Sequence, residues 1–338
     1  MPADRSPAPR ARAERLIGAL RREAGRQWRG SPAIPDATGG RFDSWLQAFW
    51  GPALETLDAM CAAPGPVRWD AFSALDSGVW GALLSQEYDV YPHIRAALPA
   101  VPDAGLQATW NGTSGAALAA QSVAFYDRLR DLNARHGARP LEASRVLDFG
   151  CGWGRLTRLL ARDVIPGNLF GCDPVEPILD VCRSCRVPAE LVRCDFVPER
   201  LPFAQPFDLI YAFSVFTHLS ERAHHACLRA LYAALAPGGL LVVTVRPPAY
   251  LRQSDLLAPA LSSLGDDPAA RLGDPLYLFA AHEGQPLGAD RVDGEVTYGE
   301  TVVTPAYIRR HWTDLFELAT FALLLSDPHQ VVVALRRR

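Results

Sequence analysis

Between Val146 and Val245 short β-prone runs alternate with helical ones, and this alternation constrains the chain more than any other feature. Residues 146–149, 169–172, 191–194, 209–213 and 240–245 are compact apolar runs, too short for helices. Residues 156–161 and 178–185 carry helical spacing between them. After Ser220, a capping residue type, a further helical face is made by Ala223, Ala226, Cys227, Ala230, Leu231 and Leu235, and Pro237-Gly238-Gly239 closes it. Strands joined through helices pair in parallel, with the helices covering the sheet faces. The unbroken apolar run 240–245 fits a strand buried on both faces. The expected core is therefore an α/β, doubly wound sheet.

The flanks add to this core. Residues 246–300 are irregular, rich in Pro, Gly and Asp, and long for a connection, so a functional insertion is expected there. Within it, 277–281 and 295–301 have the pattern of a hairpin. Pro305 opens a helix through His311 and Trp312, and two strands follow at 316–321 and 330–335. Ahead of the core, residues 1–10 are proline-rich and read as disordered, 11–28 as a charged, partly amphipathic helix, and 31–41 as a loop. From 42 to 98, Trp45, Phe49, Trp50, Leu54, Leu57, Trp80 and Leu83 recur at helical spacing between proline breaks. Residues 98–110 read as a Pro/Gly-containing loop. They lead to Asn111-Gly112-Thr113-Ser114-Gly115, whose hydroxyls are candidate caps for a helix with Leu118, Phe125, Leu129 and Leu132 on one face, ending near His136-Gly137. The expected division is a helical N-terminal extension or cap over 1–113 and an α/β domain over 114–338, with a substrate-side insertion at 246–300.

All 34 basic residues are arginine, since the chain contains no lysine. That removes Schiff-base chemistry and a P-loop with its phosphate-binding lysine. A net charge of −3 gives no bulk attraction for nucleic acid, and a small-molecule partner fits better. Seven scattered cysteines in a chain this long fit reduced thiols. Cys182-x-x-Cys185, flanked by Cys172 and Cys194, falls in a helical run without the turns of a zinc ribbon, so no metal is expected. No uninterrupted apolar leader and no run approaching the ~20 residues of a membrane span is visible, so no membrane span and a cytoplasmic location are expected.

The chemistry concentrates after the first strand, in Val146-Leu147-Asp148-Phe149-Gly150-Cys151-Gly152-Trp153-Gly154. Three glycines at alternate positions let a ligand approach the backbone, and the following helix start favours a carboxylate or phosphate. A dinucleotide fingerprint needs a third glycine where Arg155 stands. Asp173 ends the second strand, where an acid can meet a ribose, and Asp195-Phe196 follow the third.

The D-x-G-x-G-x-G turn resembles the cofactor-binding motif of class I S-adenosylmethionine-dependent methyltransferases. The likeness continues through residues 207–219 and 235–244 and extends from about Ser114 to the C-terminus, the insertion excepted. It implies a mostly parallel seven-stranded sheet with an antiparallel last strand, and S-adenosyl-L-methionine as cofactor. By resemblance Asp148 faces the methionine ammonium, and Gly150, Cys151, Gly152 and Gly154 accommodate the amino-acid end. Asp173 and Pro174 meet the ribose, Asp195 and Phe196 the adenine, and Phe213 and Ser214 complete the cofactor contacts. Trp110 to Ser114 and Tyr126 are further candidates, from a segment that folds over the cofactor in many relatives.

Past the fourth strand, His218 is the leading candidate base, on the sheet edge where open α/β folds bind ligands. His282, Tyr298, Glu300 and His311 are secondary, and His224 and His225 read as residues of a surface helix. Ser214-Val-Phe-Thr replaces the Asn/Asp-Pro-Pro-aromatic motif of nucleic-acid N-methylation. The expected acceptor is a small molecule, such as a natural product, glycan or lipid-linked intermediate, with oxygen or nitrogen as nucleophile. The competing class is a catalytically silent cofactor-binding sensor or scaffold.

Overall fold

The structure, a computed structural model, describes residues 42–265, 268–282 and 291–338. The expectations for residues 1–10, 11–28 and 31–41 lie outside the described residues.

Among the described residues, five α-helices precede the first strand: α1 (Phe42–Ala62), α2 (Ser77–Ser85), α3 (Pro92–Ala97), α4 (Ala104–Asn111) and α5 (Gly115–His136). The α/β unit follows as β1 (Val146–Phe149), β2 (Leu169–Asp173), α6 (Glu176–Ser184), β3 (Glu190–Arg193), β4 (Phe207–Ala212), α7 (Glu221–Ala234) and β5 (Leu235–Val245). Beyond β5 come α8 (Ala258–Ser262), α9 (Pro268–Arg271), β6 (Tyr277–Ala281), β7 (Arg291–Val292), β8 (Glu295–Val296) and β9 (Gly299–Val303). The chain closes with α10 (Pro305–His311), β10 (Phe316–Leu323) and β11 (Val331–Arg337).

The main sheet has seven strands in the order β10-β11-β5-β4-β1-β2-β3. Strands β5, β4, β1, β2 and β3 are parallel, while β11 runs antiparallel to both β5 and β10. The chain builds outward from β1 to β3, then crosses back to place β4 on the other side of β1. This reversal is the switch point at which open α/β sheets bind ligands, outside the carboxyl ends of the strands.

Side-chain alternation along the strands supplies two cores. Val146, Leu209, Tyr211, Leu240, Val242, Val332 and Ala334 face one way, into a cluster with Leu46, Leu54, Trp80, Leu83, Phe125 and Leu129 of the N-terminal helices. Leu147, Phe149, Ile210, Leu241, Val243, Val333 and Leu335 face the other, onto Ala223, Cys227 and Leu231 of α7 and Ile308 and Trp312 of the α10 region. Each fully buried Leu, Val or Phe adds about 1.5–3 kcal/mol. Trp80 ties the layers by donating its Nε1–H to the Leu159 carbonyl at 2.8 Å.

Several local expectations change. Residues 98–110 include α4, whose start is capped by Asp103 accepting from Leu106 N and whose end is the left-handed Gly112. Ser114 precedes α5 without a side-chain cap hydrogen bond. The helical run at 156–161 is a 3-10 helix over Thr157–Arg162. Among the described residues of this region, Gly299–Val303 alone pairs with Tyr277–Ala281; Glu295–Val296 turns back on Arg291–Val292 instead. The cause is Asp293-Gly294, both at positive φ, the geometry of a tight two-residue hairpin. His224 is fully buried, not on a surface face: its ring packs edge-on against Phe216 and Tyr277. Among the described residues no helix is long and apolar enough to cross a membrane.

Candidate active site

The glycine turn leaves β1 at the switch point. Gly150, Gly152 and Gly154 have φ of +77°, +54° and +77°, a region that L-residues with a Cβ rarely adopt. The turn is tied to β2, because Gly150 N and Cys151 N both donate to the Cys172 carbonyl, at 2.8 and 3.0 Å. The Cys151 side chain is buried.

Asp173, at the end of β2, is buried and accepts from Gly152 N at 3.0 Å through Oδ2 and from Val175 N at 2.9 Å through Oδ1. Burial pushes its carboxyl up to about 6, against the pull of those two bonds. A carboxylate has about four lone-pair sites, so each oxygen keeps one for a hydroxyl donor. Asp148 faces the N-terminal helices and accepts from Thr157 Oγ1 at 2.6 Å. Burial raises it to about 7, opposed by the Thr157 hydrogen bond and by the charge of Arg155. Arg155 is itself buried and reaches Gln121 and Ser122, 2.8 Å from each, with its guanidinium 4.9 Å from the Phe213 ring.

Around the turn, Trp110 at the end of α4 leans over Gly152: a Cβ there would sit 2.7 Å from its Nε1. Trp153 donates to Asn111 Oδ1 at 2.8 Å. Pro174 follows Asp173 into α6, Asp195 is exposed, and half-buried Phe196 packs with Leu106, Trp153 and Ile178. Phe213 lies edge-on against Phe125 at 4.7 Å. Ser214 sits at φ +61°, its N–H held by Thr244 Oγ1 at 2.7 Å and its hydroxyl accepting from Gln330 Nε2 at 3.1 Å. Tyr126 instead joins Asp163 and Arg162 in the core.

Strand β9 brings a second group to the same sheet edge. Leu219 bridges Tyr298, and Arg246, the residue after β5, bridges Val302. His218 Nδ1 lies 2.7 Å from the Gly299 carbonyl. Since a carbonyl only accepts, Nδ1 carries the proton and Nε2 keeps the lone pair. Tyr298 stacks on His218 at 4.9 Å with 14° between planes, and His282 lies 6.3 Å from His218. Burial, then the charge of Arg246, holds His218 well below the ordinary histidine range, so the ring is neutral at physiological pH. The Tyr298 phenol, raised to about 12 by burial, also feels the charges of Arg246, Asp173 and Glu300, which joins the two groups electrostatically.

The structure thus gathers Asp148, the glycines, Asp173, Ser214, His218, His282, Tyr298 and Glu300 along one edge. His311 belongs to a separate aromatic group with His225 and Tyr307. Sequence reasoning missed Arg246 and Tyr250. The signal for Arg246 was a lone charge directly after an unbroken apolar strand, on the edge that binds ligands.

A family model described as "Methyltransferase domain" matches residues 146–239. The trans-aconitate 2-methyltransferase of Methylobacterium radiotolerans is 35% identical over 162 residues, 45% of this chain and 58% of that protein. The Variovorax paradoxus protein of the same name is 34% identical over 126 residues, 36% of this chain and 48% of its own. A ubiquinone biosynthesis O-methyltransferase of Methylobacterium sp. strain 4-46 is 31% identical over 122 residues, 33% of this chain and 47% of that protein. The chain therefore spans about half the length of these curated relatives. An S-adenosylmethionine-dependent methyltransferase from Mesorhizobium loti is a similar solved structure, with TM-score 0.42 and 19% identity, covering 63% of this chain and 98% of that one.

Proposed function

We propose, from the premise that the chain carries a class I S-adenosylmethionine-dependent methyltransferase domain, that it transfers a methyl group to an oxygen or nitrogen of a small-molecule acceptor. The observation that carries this reading is the turn of three left-handed glycines at the switch point, with Asp173 hydrogen-bonded to its middle glycine. The residues present fit S-adenosyl-L-methionine: Asp148 offers a carboxylate for an ammonium, and Asp173 keeps free lone pairs for ribose hydroxyls. Glycine backbone lies between them, with Val215 packed close against Gly150 and the Trp110 indole over Gly152.

When bound, that cofactor supplies a methyl already activated on a sulfonium, so the protein's work is mainly to position the acceptor and exclude water. Gly150, Cys151, Gly152 and Gly154 would shape the amino-acid end, with Pro174, Asp195, Phe196, Phe213 and Ser214 extending the cofactor side. A cation beside Asp148 would return its raised carboxyl toward the ionised form. His218 keeps an unprotonated Nε2 at the edge of β4 and β5, 3.5 Å from Arg246 Nη2, and would orient a bound acceptor as a hydrogen-bond acceptor.

Incubation of the full chain with methyl-labelled cofactor and broad acceptor pools tests the reading. Label entering a small acceptor supports it, and His218→Gln is expected to lower kcat while cofactor affinity is retained. Cofactor binding without transfer to any pool would instead favour a sensor or scaffold module.

A further inference from the structure

The acceptor side of the site carries a buried guanidinium with more donors than its neighbours use. Arg246 is 11% exposed, and its Nη1 lies 3.2 Å from Glu300 Oε1 as an ion pair without making a hydrogen bond. Its Nη2 is 3.5 Å from His218 Nε2, and its Cζ sits 4.1 Å over the Tyr250 ring. Glu300 is shared: it also accepts from Tyr250 Oη at 3.0 Å and from the Ser254 hydroxyl. A guanidinium has five N–H donors in a planar fork that matches a carboxylate. Glu300 and Tyr250 fix the plane of that fork, and the Nη2 edge turns toward His218.

Resting on the methyl-transfer reading, we infer that the acceptor is a carboxylate, oriented by Arg246 and methylated on oxygen to give an ester. An alcohol acceptor must lose a proton, and the burial and positive neighbour that keep His218 neutral also make it a poor base. An amine offers the guanidinium fork one lone pair at most, where a carboxylate offers two coplanar oxygens. A carboxylate is already ionised at neutral pH, needs no base, and needs a cation in a site shielded from water. One carboxylate oxygen lone pair forms the new O–CH3 bond as the S–CH3 bond breaks. The bonding pair stays on sulfur, which becomes a neutral thioether, and no proton is released. The ester is uncharged, so it loses its attraction to Arg246 and can leave.

The test uses the full chain with methyl-labelled S-adenosylmethionine and a panel of aliphatic and aromatic carboxylates, including trans-aconitate and citrate, beside the corresponding amides and alcohols. Label is expected in carboxylates only, and mild alkali should release it as methanol. Calorimetry with S-adenosylhomocysteine bound should detect the labelled carboxylate binding to wild type. Arg246→Gln should weaken that binding and raise KM at least about tenfold, with cofactor affinity unchanged. Arg246→Lys, which keeps the charge without the fork, should fall between them. Should a variant not fold, the wild-type panel and the alkali test still decide. Alkali-stable label, equal use of amides or alcohols, or no carboxylate labelled while cofactor binds would overturn the carboxylate assignment alone. Absence of cofactor binding would overturn the methyl-transfer reading beneath it.

Discussion

Gly154 closes the turn against α6, and adding one methyl there separates two physical costs. A Cβ at Gly154 would sit 2.7 Å from Cys182 Sγ and 2.8 and 3.0 Å from the two Val187 methyls, within a buried cluster. Gly154→Ala must hold a left-handed φ, at about 1–2 kcal/mol. It must also push back packed side chains, at about 1–3 kcal/mol. The sum, about 2–5 kcal/mol, is a large part of the roughly 5–15 kcal/mol by which folded domains are stable. Gly167→Ala is the control, because Gly167 has φ +89° and nothing within 4 Å of the built Cβ, so only the conformational cost applies. Urea unfolding of both variants, with slopes compared to wild type, should place Gly154→Ala lower by about 1–3 kcal/mol. Equal destabilisation would refute the claim that the turn is packed tightly on α6.

Two further outcomes follow from the core and from Asp148. Burial raises the Asp148 carboxyl from its ordinary 3.8 to about 7, so the folded protein holds a proton that the unfolded chain has already released. Its contribution to stability therefore falls as pH rises from about 4 to 7. Asp148→Asn should gain on the cofactor-free wild type as Tm is followed upward through pH 5 to 7, and parallel curves would contradict the assignment. Trp80→Phe removes the bond to the Leu159 carbonyl and part of a fully buried ring, and should cost about 2–4 kcal/mol by denaturant titration. A loss under about 0.5 kcal/mol would mean that the N-terminal helices are not integral to the sheet core.

The strands were legible because burial on both faces leaves runs that are apolar but for one residue, Asp148 within 146–149 and Thr244 within 240–245. The glycine turn was legible because only glycine repeats comfortably at three left-handed positions. Helix α4 was hidden by Pro102, Gly105 and Gly112, which read as a loop, although Asp103 is a standard capping residue type three positions before Leu106. The burial of His224 was readable in principle, since it shares a helical stripe with Leu228 and Leu231. Nothing local in residues 295–304 reveals that Gly299–Val303 docks beside β4 and β5; that depends on pairing with Tyr277–Ala281 and on bridges to Leu219 and Arg246. The acceptor side of the site was correspondingly less visible than the cofactor side.

The central claim is that the glycine turn and Asp173 hold S-adenosyl-L-methionine. Titration calorimetry of the full chain with that cofactor and with NAD tests it most directly. The account predicts saturable one-site binding of S-adenosyl-L-methionine, none of NAD, and at least about tenfold weaker cofactor binding in Asp173→Ala, which removes the two carboxylate oxygens proposed to meet the ribose. No S-adenosyl-L-methionine binding, or unchanged affinity in Asp173→Ala, would contradict it.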